Sequence, residues 1–184
     1  MIIGIAGRRG CGKDTLAGAI SVLGFEKIDI NGDIISPALI NRGAEATRRN
    51  LIKFAMEMRE KHHTGIWAEK ASALIKRRPR KDYVVSGIRF PEEVDVFRKN
   101  FAGDFVLVSL VCGDRQRYER SMKRGTKGER DMSFDEYMRT EQKPTERVVA
   151  GTMKLSDYVL DNSGTLEELR EETGRFLKTL KKRG

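Results

Sequence analysis

A glycine-rich segment near the start of the chain constrains the fold more than any other feature. Residues 7–13 read GRRGCGK and so have the GxxxxGK spacing. An apolar run precedes the segment, and apolar residues at helical spacing follow it over residues 13–23. In a strand–loop–helix context, glycines let the backbone curl so that consecutive N–H groups face an anion at the positive end of the helix. The segment therefore predicts a phosphate-binding loop rather than an ordinary glycine-rich turn with one exposed lysine.

The side chains of this loop have distinct expected roles. Lys13 is expected to bridge the outer two phosphates of a bound nucleoside triphosphate. Asp14 occupies the position where Ser or Thr normally offers a hydroxyl to Mg²⁺, and a carboxylate is a good ligand when the metal lies between it and the phosphates. Thr15 is then free to donate to the α-phosphate. The residues expected to hold the nucleotide here are Gly7, Gly10, Cys11, Gly12, Lys13, Asp14 and Thr15.

The order of the predicted elements favours an α/β fold. After a first strand at residues 1–6, strands are predicted at residues 25–30, 83–88, 105–111 and 157–160. A largely helical stretch at residues 34–75, interrupted at Ser36-Pro37 and at Thr64-Gly65, separates the second strand from the third. A capping box at Thr165 opens a C-terminal helix. Because strands alternate with helices, the connections are crossovers, and the sheet is expected to be parallel with helices on both faces.

Composition and charge limit the class of protein. With 184 residues, of which 39% are hydrophobic, the chain is expected to form one globular domain, and no apolar stretch approaches the roughly 18 residues of a membrane helix. The apolar run at residues 1–6 is also too short for the core of a signal peptide, so a cytoplasmic protein is expected. Cys11 and Cys112 are too few for a disulfide framework or a CxxC metal site. A formal charge of +9 favours anionic partners.

An arginine follows the third predicted strand. Arg89 lies one step beyond this buried run, at the carboxyl edge where open α/β sheets bind their ligands. It is therefore a candidate to hold the phosphate of an acceptor. The alternative is an arginine at the end of a strand that is solvated or paired with Glu92 or Glu93.

Residues 113–144 are expected to form a mobile, charged lid over the core, because they are rich in charged residues and have little apolar periodicity. Arg117, Arg120 and Arg124 share one helical face, and Arg130 follows across a turn. Planar cations on that face would meet the equatorial oxygens of a transferred phosphoryl group. The alternative is a solvated charged helix.

With these motifs in place, the chain resembles the nucleoside monophosphate kinase branch of the P-loop kinases, and most closely the archaeal adenylate-kinase-related proteins that also look like dephospho-coenzyme A kinase. Residues 12–15 and 88–92 are also similar to deoxynucleoside monophosphate kinases, and the loop variant is similar to that of some phosphomevalonate kinases, so the acceptor stays open. The segments that carry the resemblance are residues 7–15, 30–33, 47–51, 58–61, 86–89, 157–162 and 164–167, together with the lid arginines.

The resemblance implies a three-layer P-loop kinase fold, in which a five-stranded parallel sheet has helices on both faces and the phosphate loop follows the central strand. It implies a single domain over residues 1–184. Within it, residues of about 33–80 would cover the acceptor, and the mobile lid of about 113–144 would act chiefly through Arg120 and Arg124.

The resemblance also implies that the cofactors are ATP and Mg²⁺. The adenine would lie near residues 162–165, so Asn162 and Gly164 are expected to bind the nucleotide. Mg²⁺ is expected at Asp14 and Asp33, and Arg59 is assigned a role at the acceptor phosphate.

Two departures from the family pattern bear on these roles. Ser86 stands where relatives usually carry an acidic residue at the end of the third strand, so Asp14, Asp29 or Asp33 would have to organise Mg²⁺. Ser36 stands where an arginine typically binds the acceptor phosphate, so Arg42, Arg48 or Arg59 would have to compensate.

The leading hypothesis is an ATP-dependent phosphotransferase that moves the γ-phosphoryl group to a small phosphorylated acceptor, with a nucleoside monophosphate as the first candidate. Guanine recognition is not expected, because the chain has no NKxD motif. The alternative is a nucleotide-binding regulator or RNA-associated protein with weak or no kinase activity. The basic runs at residues 76–81 and 178–183 would then contact RNA, although no aromatic residues are interleaved with them to stack on bases.

Overall fold

Five parallel strands make up the sheet in the computed structural model, which describes residues 1–78, 82–125, 132–142 and 144–181. The strands are β1 Ile2–Ala6, β2 Glu26–Asp29, β3 Tyr83–Ser86, β4 Phe105–Val111 and β5 Tyr158–Asp161. Their spatial order is β2–β3–β1–β4–β5, and all four neighbouring pairs are parallel. The predicted parallel sheet is confirmed, with the glycine-rich loop at the carboxyl end of its central strand.

Helices connect the strands. Their bounds are α1 Lys13–Val22, α2 Ser36–Ile40, α3 Arg48–Lys61, α4 Ile66–Arg77, α5 Pro91–Asn100, α6 Asp114–Arg124, α7 Phe134–Glu141, α8 Pro144–Met153 and α9 Leu166–Lys181. A π-helical turn, Ile30–Ile35, leads from β2 into α2. Among the described residues, no helix has the length and apolar character that crossing a membrane requires.

Side-chain alternation along the strands divides the core into two layers. On one face of the sheet, Ile3 and Ile5 of β1 pack in a layer that also contains Leu16 of α1 and Phe176 of α9. On the opposite face, Ile2 and Ala6 pack in a layer that also contains Trp67 of α4 and Phe97 of α5. Because successive side chains of a strand point to opposite faces, an all-apolar β1 is buried along its whole length. Packing on both faces therefore fixes the position of β1, the strand that leads into the glycine-rich loop.

The predicted helical stretch at residues 34–75 has different internal breaks in the structure. Pro37 lies in the first turn of α2, where its missing N–H has no helical partner to lose, so the predicted interruption at Ser36-Pro37 is wrong. The helical path is broken instead at residues 41–47, where Gly43 has a φ of 78°. The predicted interruption at Thr64-Gly65 is confirmed, because α3 ends at Lys61 and α4 begins at Ile66.

The predicted lid segment contains α6 and α7. Aromatic contacts join these helices, with the ring centroid of Tyr118 5.4 Å from that of Phe134 and 5.6 Å from that of Tyr137. The charged composition of the segment did not predict this packing, because only a few aromatic residues form the contacts between the two helices. Arg130 lies outside the described residues, as do parts of the two basic runs. Mobility of the lid stays a prediction.

Replacing Gly4 by alanine should destabilise the fold. A Cβ at this position in β1 would lie 2.6 Å from Cδ1 of Ile88 and 2.8 Å from the Phe105 ring, so these side chains must shift. Overpacking of this kind costs about 1–3 kcal/mol of unfolding free energy. Urea denaturation measures the change.

Gly18→Ala is the matched control for this substitution. Gly18 lies inside α1, and apart from the neighbouring backbone of the helix no atom of the described residues lies within 4 Å of the added Cβ. Alanine should therefore stabilise the helix by about 0.5–1 kcal/mol. Equal unfolding free energies for Gly4→Ala and the wild type would contradict the close packing around β1.

Candidate active site

The glycine-rich loop requires glycine at two positions that face other elements. Gly10 has a φ of 78° and Gly12 a φ of 97°, both in the region that side chains disfavour. A Cβ on Gly10 would also overlap the carbonyl oxygen of Arg117, and one on Gly12 would overlap the amide nitrogen of Asn162. Glycine at both positions therefore lets α6 and the segment after β5 pack directly on the loop.

Donors outside the loop orient its peptide planes. The Nη1 group of Arg117 and the hydroxyl of Tyr137 donate to the carbonyl oxygen of Arg9 at 3.1 and 3.0 Å. The Nδ2 group of Asn162 donates to the carbonyl oxygen of Cys11 at 2.8 Å. In a planar trans peptide, the following N–H points opposite to the carbonyl. The N–H groups of Gly10 and Gly12 are thus turned away from these donors, and both glycines line the cavity described below.

Lys13 lies at the mouth of the loop. Its Nζ group donates to the carbonyl oxygens of Gly7 and Arg8 at 2.8 and 3.0 Å. Burial lowers the pKa of Lys13 and the charge of Arg89 lowers it further, whereas the carboxylates of Asp14 and Glu146 oppose the shift. The pKa of Lys13 thus depends on charged groups from several elements, and these elements surround one cavity.

This cavity has a volume of about 1010 Å³ and lies at the carboxyl edge of the sheet. The loop and the start of α1 form its floor. Its walls come from β2 and the turn after it, the segment after β3, α3, α6, α8, the segment after β5 and α9. The described residues that line it are Arg9, Gly10, Gly12, Lys13, Asp14, Thr15, Asp29, Asn31, Arg48, Gly87, Arg89, Arg120, Arg124, Gly125, Glu146, Asn162, Leu166 and Leu169.

Three loop or cofactor residues predicted from the sequence do not line this cavity. Cys11 is fully buried and contributes its carbonyl oxygen to Asn162. Gly7 is also buried, and a Cβ there would lie 2.7 Å from Sγ of Cys11. Gly164 contributes its carbonyl oxygen to the Nη2 group of Arg120 at 3.3 Å. Cys11 and Gly164 thus bear on the cavity only through hydrogen bonds to the lining residues Asn162 and Arg120.

Arg120 closes one end of the cavity. Its Nη1 group donates to the carbonyl oxygen of Asn162 at 2.8 Å, so the guanidinium group is held against the segment that follows β5. Two leucines lie on the same end, Leu166 with 48% of its surface exposed and Leu169 with 2%. A planar cation beside apolar surface is suited to a flat aromatic ligand.

The helix α6 does not present its three arginines in the same way. Arg120 and Arg124 line the cavity, whereas Arg117 is 1% exposed and lies beneath the loop. Its Nη1 group also donates to the Glu141 carboxylate of α7 at 2.7 Å. The expectation that this face closes on phosphates is therefore wrong for Arg117. Arg117 and Arg124 differ by only about 20° around the helix, so the difference lies along its axis, because Arg117 is near the start of α6, where the helix packs on the loop.

Two carboxylates line the cavity on the side of β2. Asp14 is at the start of α1, and Asp29 is at the end of β2, where its carboxylate accepts a hydrogen bond from the N–H of Asn31 at 3.1 Å. Asp33 does not line the cavity, because its carboxylate is exposed and accepts from the N–H of Asp29 at 2.7 Å. The second carboxylate in the cavity is thus Asp29 in place of the predicted Asp33.

Asp29 also lies beside the position where the family pattern has an acidic residue. Asp29 of β2 is the register partner of Ser86 of β3. The Ser86 hydroxyl is buried and has no hydrogen-bond partner among the described residues. Burial raises the pKa of Asp29, and the charges of Asp14 and Asp33 raise it further. The described residues contain no cluster of three or more ligands that would hold a metal ion by themselves.

Arginines crowd the opposite wall of the cavity. Burial lowers the pKa of Arg48, at the start of α3, and three neighbouring guanidinium groups lower it further. These groups belong to Arg9, Arg89 and Arg124. Such mutual repulsion is typical of a site that receives an anion.

Arg89 is paired with a carboxylate that the sequence did not indicate. Its side chain is 38% exposed, and its Nη1 group lies 3.5 Å from Oε1 of Glu146 in α8. The predicted alternative partner, Glu93, instead accepts a hydrogen bond from the backbone N–H of Arg89 at 2.8 Å. No motif marks Glu146, because only the crossing of α8 over the sheet edge brings it to Arg89.

The structure separates the three arginines proposed to replace the one missing at Ser36. Only Arg48 among them lines the cavity. The guanidinium of Arg42 lies over the Phe54 ring at 4.6 Å. Arg59 is buried in an ion pair with Glu93 at 2.7 Å, so it does not reach the cavity where a role at the acceptor phosphate was expected.

A glycine loop after the central strand of this sheet, below a cavity at the carboxyl edge, defines a P-loop domain with the fold of the small P-loop kinases. The AAA domain family matches residues 3–145. A "UPF0200 protein" of the archaeon Hyperthermus butylicus is 31% identical over 184 residues, which cover 100% of this chain and 97% of the relative. The chain belongs to the UPF0200 family and contains an AAA-type P-loop domain. The predicted resemblance to P-loop proteins of archaea is confirmed at this level.

Solved structures agree on the fold. Shikimate kinase from Bacteroides thetaiotaomicron superposes with a TM-score of 0.67 at 16% sequence identity, covering 97% of this chain and 98% of that one. Deoxyadenosine kinase from M. mycoides superposes with a TM-score of 0.55 at 16% identity, covering 97% and 100%. At this level of identity the likeness concerns the fold alone, and it confirms the three-layer architecture.

Replacing Asp29 by asparagine should stabilise the protein in the absence of metal and nucleotide. A carboxyl group whose pKa is raised by folding destabilises the native state above that pKa, and this penalty is lost as the pH falls through it. Asparagine keeps the oxygen that caps the N–H of Asn31 and removes the charge. The melting temperature in EDTA should therefore rise at pH 7, and the difference should shrink as the pH is lowered.

The matched control is Asp95→Asn on the exposed side of α5. Its melting temperature should stay close to that of the wild type at both pH values. An Asp29→Asn protein that melts below the wild type at pH 7 would contradict the assigned electrostatic cost.

Proposed function

We propose that the protein is an ATP-dependent phosphotransferase that moves the γ-phosphoryl group to a small phosphorylated acceptor, with a nucleoside monophosphate as the leading candidate. The observation that carries the proposal is one cavity that combines the loop amides and Lys13 with Arg48, Arg89 and Arg124. The loop accounts for a phosphate donor, and the arginines account for a second anion within reach of it.

The donor would be bound along the floor of the cavity. The N–H groups of Gly10 and Gly12 and the ammonium group of Lys13 would contact the phosphates at the positive end of α1. The adenine would lie at the end formed by Arg120 and Leu166. The contacts of Arg120 to the carbonyls of Asn162 and Gly164 support this placement, since they keep the guanidinium plane fixed.

The residues on the β2 side fit a magnesium ion. Mg²⁺ prefers hard oxygen ligands and is commonly held by one or two carboxylates together with substrate phosphates and water. Asp14 and Asp29 supply that donor set, and the charges that raise the pKa of Asp29 would be offset by a cation. The ion would supply charge neutralisation at the donor phosphates. This assignment takes over the role that the family pattern gives to the residue at Ser86.

The charge of the cavity wall supports an anionic acceptor. Among the described lining residues, six are Lys or Arg and three are Asp or Glu. Mg·ATP brings about two negative charges, and a phosphomonoester brings about two more at neutral pH. A neutral acceptor would leave part of the arginine cluster uncompensated, whereas a phosphomonoester at Arg48 and Arg89 would offset it.

The transfer step would depend on position and electrostatics. An acceptor phosphate is already ionised, so no side chain has to remove a proton from it. Charge that spreads over the equatorial oxygens in the transition state would be met by Lys13, Arg89 and Arg124. Ser86 and Ser36 depart from the family pattern and would favour the alternative, a nucleotide-binding regulator with weak or no kinase activity. Asp29 and Arg48 line the cavity and support transfer instead, because they offer the carboxylate and the guanidinium group that these two serines lack.

The proposal predicts acceptor-dependent formation of ADP. The full chain should release ADP from Mg·ATP at about 1–100 per second when the right acceptor is present in a panel of nucleoside monophosphates, dephospho-coenzyme A and phosphomevalonate. Lys13→Ala should lower kcat/KM at least about a hundredfold, because it removes a charge that acts on the transferred group. A coupled ADP assay measures both values.

Lys70→Ala is the matched control, since Lys70 is exposed on α4 and does not line the cavity. Its kcat/KM should equal that of the wild type. Absence of acceptor-dependent ADP across the panel would remove transfer from the proposal. Calorimetry that finds equal Mg·ATP affinity in the wild type and in Lys13→Ala would remove the nucleotide site as well.

Arg48→Ala should separate the acceptor from the donor. The variant should raise the KM of the acceptor about tenfold or more, because it removes a charge-assisted contact to a phosphate. The affinity for Mg·ATP should change little. Steady-state kinetics with each substrate varied in turn measures the two effects.

Arg49→Ala is the matched control on the same helix, because Arg49 is exposed and does not line the cavity. If Arg48→Ala raised the KM of ATP and of the acceptor equally, the assignment of Arg48 to the acceptor would be wrong.

A further inference from the structure

A partly buried carboxylate in the cavity wall has one oxygen without a hydrogen-bond partner among the described residues. Glu146 is the third residue of α8, and its side chain is 15% exposed. Its Oε2 atom is inaccessible to solvent and has no hydrogen-bond partner among the described residues. Its Oε1 atom lies 3.5 Å from Nη1 of Arg89, at the outer limit of a hydrogen bond. A buried carboxylate oxygen left in this state costs free energy unless a ligand satisfies it.

The surroundings of Glu146 restrict what that ligand can be. The charge of Glu146 acts on both Lys13 and Arg48, and Arg89 is paired with it. Their positive charges would repel a metal ion placed beside the carboxylate. A phosphate oxygen would be repelled by the carboxylate itself. A neutral group that donates a hydrogen bond meets neither obstacle.

The position of Glu146 also restricts where the donor can be on the acceptor. Arg89 is the residue to which Glu146 is paired, and it is one of the residues proposed to hold the acceptor phosphate. The donor must therefore lie close to that phosphate. The hydroxyl groups of a sugar are only a few bonds from its phosphate, whereas the amino groups of a nucleobase lie on the far side of the sugar.

We propose that Glu146 is a specificity-determining residue: when the acceptor binds, its carboxylate turns toward the cavity and accepts a hydrogen bond from a sugar hydroxyl of the acceptor. The acceptor class is then a phosphomonoester of a hydroxylated sugar, such as a nucleoside 5′-monophosphate that retains its 2′- or 3′-hydroxyl. This inference rests on the proposed function, because it takes Arg48 and Arg89 as the site of the acceptor phosphate.

The test compares acceptors with and without the hydroxyl groups. The best nucleoside monophosphate of the panel is assayed with its 2′-deoxy, 3′-deoxy and 2′,3′-dideoxy forms. Loss of the hydroxyl that Glu146 binds should lower kcat/KM of the wild type roughly ten- to a hundredfold, the range for a hydrogen bond to a charged group. Glu146→Ala should show a loss of similar size with the intact acceptor and no further loss with the deoxy form.

Two further measurements separate recognition from a purely structural role. Glu146→Gln keeps an acceptor oxygen and the size of the side chain, so it should retain part of the preference for the hydroxyl. If the alanine variant does not fold, the comparison of acceptors is made with Glu146→Gln. Inorganic phosphate should bind Glu146→Ala at least as tightly as the wild type, because a negative charge has been removed beside Arg89. Glu92→Ala, an exposed glutamate of α5 outside the cavity, should match the wild type throughout.

Several outcomes would overturn the inference while the proposed function stands. The first is an equal kcat/KM of the wild type for the parent and dideoxy acceptors. The second is an equal loss of kcat/KM on removal of the hydroxyl in the wild type and in Glu146→Ala. The third is recovery of the kcat/KM of Glu146→Ala on addition of Mg²⁺. If the wild type phosphorylates no acceptor, the proposed function fails separately. Calorimetry with adenosine monophosphate and its 2′,3′-dideoxy form then decides the subsite, and equal affinities or no binding would overturn it.

Discussion

The carbonyl groups of the glycine-rich loop are held from outside the cavity, and the remainder of the site depends on this constraint. Two donors from α6 and α7 hold the carbonyl of Arg9, and Asn162 holds that of Cys11. Each contact turns the next N–H toward the side on which the cavity lies. The Arg117–Glu141 ion pair lies behind these contacts with both side chains 2% exposed, and removing either partner would weaken the compensation of the buried charge that is left.

The same contacts link the loop to the predicted lid. Tyr137 of α7 and Arg117 of α6 reach the same carbonyl oxygen, and Glu141 also lies 3.6 Å from the guanidinium of Arg8. The two helices therefore act on the loop backbone as well as on the cavity, which Arg120 and Arg124 line from α6. A displacement of α7 would release one support of the loop, since Tyr137 would lose its contact to Arg9. The geometry of the phosphate site and the position of these helices are thus coupled through hydrogen bonds to the carbonyl oxygen of one loop residue, Arg9.

Charge in the cavity is divided by position. Asp14 and Asp29 lie toward β2, whereas Arg9, Arg48, Arg89 and Arg124 crowd one another on the other wall. Each group of like charges is costly while no ligand is bound, and a cation at the first and an anion at the second would offset both costs. Glu146 is the exception, because it places a carboxylate among the cations. In the proposed acceptor site, this carboxylate would select for a hydroxyl group in addition to the charge of the phosphate.

The sequence by itself determined the parallel sheet, the loop after its first strand and the arginine after β3, because apolar runs, glycine spacing and strand ends are local patterns. It also narrowed the substitutes for Ser86 and Ser36 to a few residues each. Only the tertiary structure decided which of these candidates line the cavity, because strand register sets Asp29 beside Ser86 and an ion pair with Glu93 holds Arg59 in the core. Glu146 and the burial of Arg117 had no sequence signal. Their positions depend on how α6, α7 and α8 cross the sheet edge, and such crossings are set by the packing of distant segments against each other.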